Sequence, residues 1–132
     1  MLTRPGILIR LEHGVVLLIV LYLYRASGSG WGLFALLFLW PDLGMLGYLA
    51  NVRIGSALYN LVHLVATPAV LAAYSYSSHR QRLLACSLIW LAHIEWDRAL
   101  GFGLKYPTFF KDTHLQRVTA PTSPELAKAS AA

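Results

Sequence analysis

Five ionisable side chains have the types and positions to do chemistry together: Glu12, Asp42, His63, His93 and Asp97. Each lies in or beside a long apolar run. A charge at membrane depth is costly unless a partner or a purpose offsets it, so each calls for an explanation. His93 and Asp97 stand four residues apart, on one face of a helix. Ser56, Asn60, His63 and Thr67, spaced 4, 3 and 4, form one polar stripe on another. Glu95 points nearly opposite His93 and reaches Arg98 at i+3. Asn60, Glu95 and Arg98 are therefore expected to form a structural polar network.

Several chemistries fit the five. The plainest is a hydrogen-bonded network that locks helices together. The second is a metal centre, with His63, His93, Asp97, Glu12 and Asp42 as candidate ligands. Two imidazoles with two or three carboxylates suit zinc, iron or manganese, and a bound ion can activate water. The chain has no HExxH, ExxH or HxxxH spacing, which excludes the zincin, ferritin-like and histidine-box patterns. The third is a proton or ligand site, with His63 or His93 as base and Glu12 or Asp42 as acid. That covers lipid isomerisation, quinone contact or a proton path. A buried His63 or His93 could also ligate a pigment magnesium.

The elements that must position these groups are helices in a membrane. Hydrophobic residues make up 57% of the chain and charged residues 13%, against roughly 45–50% and 25% in ordinary soluble domains. A soluble domain this small needs more charge than that to cover its surface. Net charge is +5, but the bases sit at the ends of apolar runs rather than in one stripe. That pattern fits lipid headgroups and leaves no role for nucleic acid. Cys86 is the only cysteine, which excludes an intramolecular disulfide and any CxxC motif.

Four apolar runs stand out, about 7–24, 31–49, 54–74 and 83–102. Each approaches the roughly 20 residues that a helix needs to span about 30 Å of hydrocarbon. The connections are short, which makes consecutive helices antiparallel. The expectation is an all-α, integral membrane four-helix bundle, up-down-up-down, occupying 1–104. Helix two should break near Pro41, which lacks a donor and clashes with the carbonyl of Leu37. Pro68 should similarly loosen helix three near Leu64. Residues 105–118 read as an interfacial cytoplasmic segment, and 119–132 as a flexible tail of Ala, Ser, Thr and Pro. Glu12 and Arg25 argue against reading run one as a cleaved signal peptide.

Orientation follows the bases. Arg4, Arg10, Arg53, Arg98, Lys105, Lys111, Arg117 and Lys128 fall on one side; Arg25, Arg80 and Arg82 fall on the other. That puts both termini in the cytoplasm. Glu12, Asn60 and His63 come early in helices that enter from the cytoplasm. Asp42, His93 and Asp97 come late in helices that return to it. All six are thus expected in the cytoplasmic half. His79 reads as a solvated loop residue, and His114 as a solvated tail residue that could otherwise cover the cluster.

The stretches Pro41-Asp42-Leu43-Gly44-Met45-Leu46-Gly47-Tyr48, Tyr59-Asn60-Leu61-Val62-His63 and His93-Ile94-Glu95-Trp96-Asp97-Arg98 occur in that order. They are followed by Gly101-Phe102-Gly103-Leu104-Lys105-Tyr106-Pro107 and Phe110-Lys111-Asp112-Thr113-His114-Leu115. From Arg10 to Leu115 the chain resembles the small bacterial membrane proteins grouped as domain of unknown function 4260. The resemblance implies a multi-pass protein of the bacterial inner membrane and carries no reaction with it. Two functions remain open. One is a non-catalytic accessory subunit of a larger membrane complex, photosynthetic or respiratory, with lipids and other membrane subunits as partners. The other is a small membrane enzyme using the His/carboxylate cluster on a lipid-soluble substrate. The cofactor in either case would be a divalent metal ion or a bound pigment or quinone.

Overall fold

A computed structural model describes residues 3–105, 113 and 115. The expected tail, His114 and most of the segment 105–118 lie outside them. The described residues are helical, apart from turns and one isolated antiparallel bridge between Lys105 and Thr113.

Helix α1 runs Pro5–Ala26 and opens on the proline, whose missing donor costs nothing at a first turn. Its end is tied by the Ser27 hydroxyl, which donates to the Tyr24 carbonyl at 2.6 Å. Gly28 then turns at φ +75°, and the Tyr24 hydroxyl donates to the Gly30 carbonyl across the turn. Helix α2, Trp31–Leu37, stops four residues before Pro41, and the chain continues as a 3-10 helix over Trp40–Leu49. Ten residues of 3-10 geometry is long for that helix type. The break expected at Pro41 is therefore present.

Helix α3, Val52–Val62, starts where the Asn51 side chain accepts the Ile54 amide at 2.9 Å. It ends at His63, and α4 follows as Ala66–Ser77 with Pro68 in its first turn. The third apolar run is thus broken outright at His63–Val65 rather than loosened. Helix α5 runs Gln81–Leu100 and ends in a Schellman turn: Phe102 N–H donates to the Asp97 carbonyl, with Gly101 at φ +101°.

Three spans, Pro5–Ala26, Trp31–Leu49 and Val52–Ser77, are long and apolar enough to cross a membrane. Helix α5 differs from the run expected there. At 20 residues it is long enough, but its later half carries His93, Glu95, Asp97 and Arg98. It is also the best-covered helix. Both α1 and α4 pack along it, and Ala85, Ser87, Leu88, Ile89, Ala92, His93, Ile94 and Glu95 are buried. Val20 and Tyr24 of α1 join Ala85, Leu88, Ile89 and Ala92 in one apolar core. By contrast Leu18, Leu36, Leu46, Leu49, Leu61 and Val70 point outward, an apolar exterior suited to lipid.

The 3-10 helix packs on α3 at very short range. A Cβ on Gly55 would lie 2.4 Å from the Tyr48 ring, and one on Gly47 would lie 3.1 Å from Gly55 Cα. Glycine at both positions permits this approach, which carries Asp42 toward the end of α3.

Candidate metal centre

Asp42, His63, His93 and Asp97 each turn one ligand atom into a common space, all within 4.8 Å of one another. Three elements supply them. Asp42 comes just after the proline break in the second run, and His63 caps α3 at the break in the third. His93 and Asp97 come from one face of α5. Two of the four side chains therefore sit at helix interruptions, where irregular backbone can aim a side chain inward.

The interruption at His63 is satisfied by side chains. The Tyr59 carbonyl accepts both the backbone N–H and the Nδ1–H of His63, at 2.8 and 2.9 Å. The Trp90 indole donates to the Val62 carbonyl at 2.6 Å, and Arg98 donates to the His63 carbonyl at 3.4 Å. Two of the freed acceptors of the α3 terminus, the Val62 and His63 carbonyls, are thus covered by side chains.

These bonds also fix the chemistry of His63. Its Nδ1 proton is held by Tyr59, so the neutral ring presents a lone pair at Nε2. That nitrogen lies 3.3 Å from His93 Nε2, 3.3 Å from Asp97 Oδ2 and 3.7 Å from Asp42 Oδ1. His93 Nε2 lies 3.2 Å from Asp42 Oδ1 and 3.3 Å from Asp97 Oδ2. The Tyr59 ring stacks on His63 at 3.7 Å, and Phe38 meets His93 edge to face at 5.2 Å. Among the described residues, His93 Nδ1 is buried with no hydrogen-bond partner, and Phe38 packs against that ring. Both histidines are nearly inaccessible, while Asp42 keeps 37% of its side-chain surface. The cleft beside His63 and Asp97, bounded by Arg98, Phe102 and Gly103, has no room for a water molecule.

The remaining expected residues lie elsewhere. Glu12 is exposed on α1 and stands outside the group. Its neighbour His13 faces inward, and its Nδ1 meets the buried Glu95 at 2.6 Å. The i+3 pairing of Glu95 with Arg98 is thus replaced by a contact between helices. An i+3 spacing permits a pair on one helix, but a buried carboxylate takes the partner that closes over it. Arg98 serves the His63 carbonyl instead. Asn60 clamps the main chain of Lys105: its Nδ2 donates to the Lys105 carbonyl at 2.8 Å, and its Oδ1 accepts the Lys105 amide at 2.6 Å. His79 is exposed in its loop.

Lys105, expected only as an interfacial base on the same side, packs against the site. Asn60 draws it back over α3, and its ammonium lies 4.5 Å from the Tyr59 ring centre and 5.3 Å from that of Tyr48. Burial pushes the ammonium below its usual pKa, against the opposing pull of Asp42 and Asp97. The aromatic residues at Tyr48 and Tyr59 were its only available signal.

Neither the curated proteins nor the solved structures offer a match to the chain. The family model described as Domain of unknown function (DUF4260) matches residues 6–118, a span that includes all four converging residues, and the chain belongs to that family.

Proposed function

We propose that the chain is a small multi-pass membrane protein organised around one divalent metal ion of the zinc class. His63 and His93 would bind through Nε2, and Asp42 and Asp97 through one oxygen each. The supporting observation is the set of separations. Four ligands at 2.0–2.1 Å around a tetrahedral ion stand about 3.3–3.4 Å apart. Five of the six pairs here lie between 3.2 and 3.7 Å. Charge-assisted N–H···O bonds contract to about 2.7–2.9 Å, and His13–Glu95 in the same molecule closes to 2.6 Å. The cluster is spaced for an ion between its members rather than for bonds among them.

Charge supports the same reading. A neutral His63 aims a lone pair at a second imidazole nitrogen and two carboxylates. A cation among them removes that repulsion in a medium of low dielectric. Without one, His93 must keep a proton on Nε2 to face these acceptors.

Four protein ligands, with no room for water in the cleft beside His63 and Asp97, favour a structural ion. It would tie the 3-10 helix, the α3 terminus and α5 into one unit. This fits an accessory subunit whose apolar exterior meets lipid or other subunits of a larger membrane complex. The enzyme reading rests on the exposure of Asp42. If Asp42 yielded its place, water could enter and be activated on a lipid-soluble substrate. Helix α5 would be the fourth crossing, with both termini and the centre on the cytoplasmic side of a bacterial inner membrane. Elemental analysis of the full chain purified from membranes tests the proposal. About one zinc-class ion per chain supports it, and a metal-free, folded protein overturns it.

A further inference from the structure

At the other end of α5 an apolar groove of about 540 Å³ opens between α1, α4 and α5, bordered by Leu23, Ala72, Tyr76, Leu84 and Leu88. Its lining residues on α5, from Leu88 to Gln81, lie about 8–18 Å along the helix from His93, at 1.5 Å per residue. Arg25, Arg80 and Arg82 flank it in sequence, beside the lining residues Ala26, His79 and Gln81. All three arginines are exposed. Among the described residues none of them makes an ion pair or a side-chain hydrogen bond. Residues 22–34 and 72–88, which form this end, contain no Asp or Glu.

We infer that this groove binds one anionic phospholipid, with an acyl chain against Leu23, Leu84 and Leu88 and its headgroup phosphate on the three arginines. The volume suits the occupant. At roughly 30 Å³ for a group the size of water or a methylene, the groove holds on the order of fifteen to twenty such groups, one long acyl chain. The charge selects the headgroup. Guanidinium groups match phosphate oxygens in pairs, and there is no acid at this end to compete. The inference rests on the apolar exterior and the groove, not on the metal centre.

The test is native mass spectrometry of the full chain equilibrated with mixed micelles of phosphatidylglycerol and phosphatidylcholine. The wild type should retain one phosphatidylglycerol, favoured at least tenfold over phosphatidylcholine. Each basic residue near an anionic headgroup contributes about a fivefold factor. The triple variant Arg25→Gln, Arg80→Gln, Arg82→Gln should therefore lose on the order of 100-fold in retention. Ala72→Trp, which fills the groove, should release the lipid while circular dichroism and thermal unfolding stay unchanged. Millimolar inorganic phosphate should leave retention intact, because the acyl chain supplies much of the affinity. Equal retention of the two lipids, an unaffected triple variant, displacement by inorganic phosphate, or a bound polypeptide in place of lipid would each overturn the inference.

Discussion

His63 and His93 face each other Nε2 to Nε2 at 3.3 Å, one from the broken end of α3 and the other from the buried face of α5. Two neutral imidazoles do not hold this arrangement through a hydrogen bond if both protons lie on Nδ1. The Tyr59 carbonyl fixes that proton for His63. Asp42 and Asp97 close on the same space with two further acceptors. This geometry underlies the proposed ligand set, whose consequences extend to the helices that carry it.

The first consequence concerns Pro41. Replacing it with alanine restores a donor and removes the clash with the helix before it, so α2 should extend past Leu37. Asp42 would then turn away from His93. Metal affinity in Pro41→Ala should fall at least tenfold, as one ligand of four is lost, with helicity by circular dichroism equal or higher. Unchanged affinity would mean the break has no part in placing Asp42.

The second concerns His13 and Glu95. Removing the hydrogen-bond partner of a buried polar group costs about 1–3 kcal/mol. His13→Ala should lower stability by that order in a detergent unfolding titration. Metal content should stay at the wild-type value, because the pair lies outside the ligand set. Adding Glu95→Gln should recover part of the loss. A His13→Ala protein that is stable but metal-free would place this pair in the centre.

A third prediction concerns Gly55. A methyl group there meets the Tyr48 ring at 2.4 Å. Overpacking of this kind costs about 1–3 kcal/mol. Gly55→Ala should be destabilised by that amount, and Gly55→Ala with Tyr48→Ala should recover much of it. Failure of the double variant to recover would show that the close approach depends on more than the ring.

The fourth concerns Asn60, which satisfies both main-chain groups of Lys105. Asn60→Ala removes both of these bonds, at about 0.5–1.5 kcal/mol each. The effect should be local. Amide exchange at Gly101–Lys105 should rise, while α1 and α5 exchange as before. Global acceleration would mean that the clamp holds the whole fold.

Much of the fold was legible because membrane helices follow length and composition. The apolar runs mark three spans within three residues at each end, and Pro41 marks its break through the chemistry of proline. The convergence of Asp42, His63, His93 and Asp97 followed from depth alone, since alternating helices bring early and late residues to one level. What depth cannot supply is helix rotation. Glu12 and His13 are neighbours about 100° apart around α1. Hydrophobicity all round the helix gave no face to choose between them, and the structure turns His13 inward. The same gap hid the partner of Glu95. The full break at His63 was obscured because Pro68 acts on the residues before it, and the capping of the freed carbonyls by Trp90 and Arg98 depends on tertiary contact.

The central claim is tested most directly by X-ray absorption at the metal edge, on the full chain purified from membranes. The expected spectrum has four nitrogen or oxygen ligands at about 2.0–2.1 Å with the multiple scattering of two imidazoles. In His63→Ala the metal should fall below about a tenth of an ion per chain. A folded wild type with no metal, or a shell of oxygens without imidazole, would contradict it.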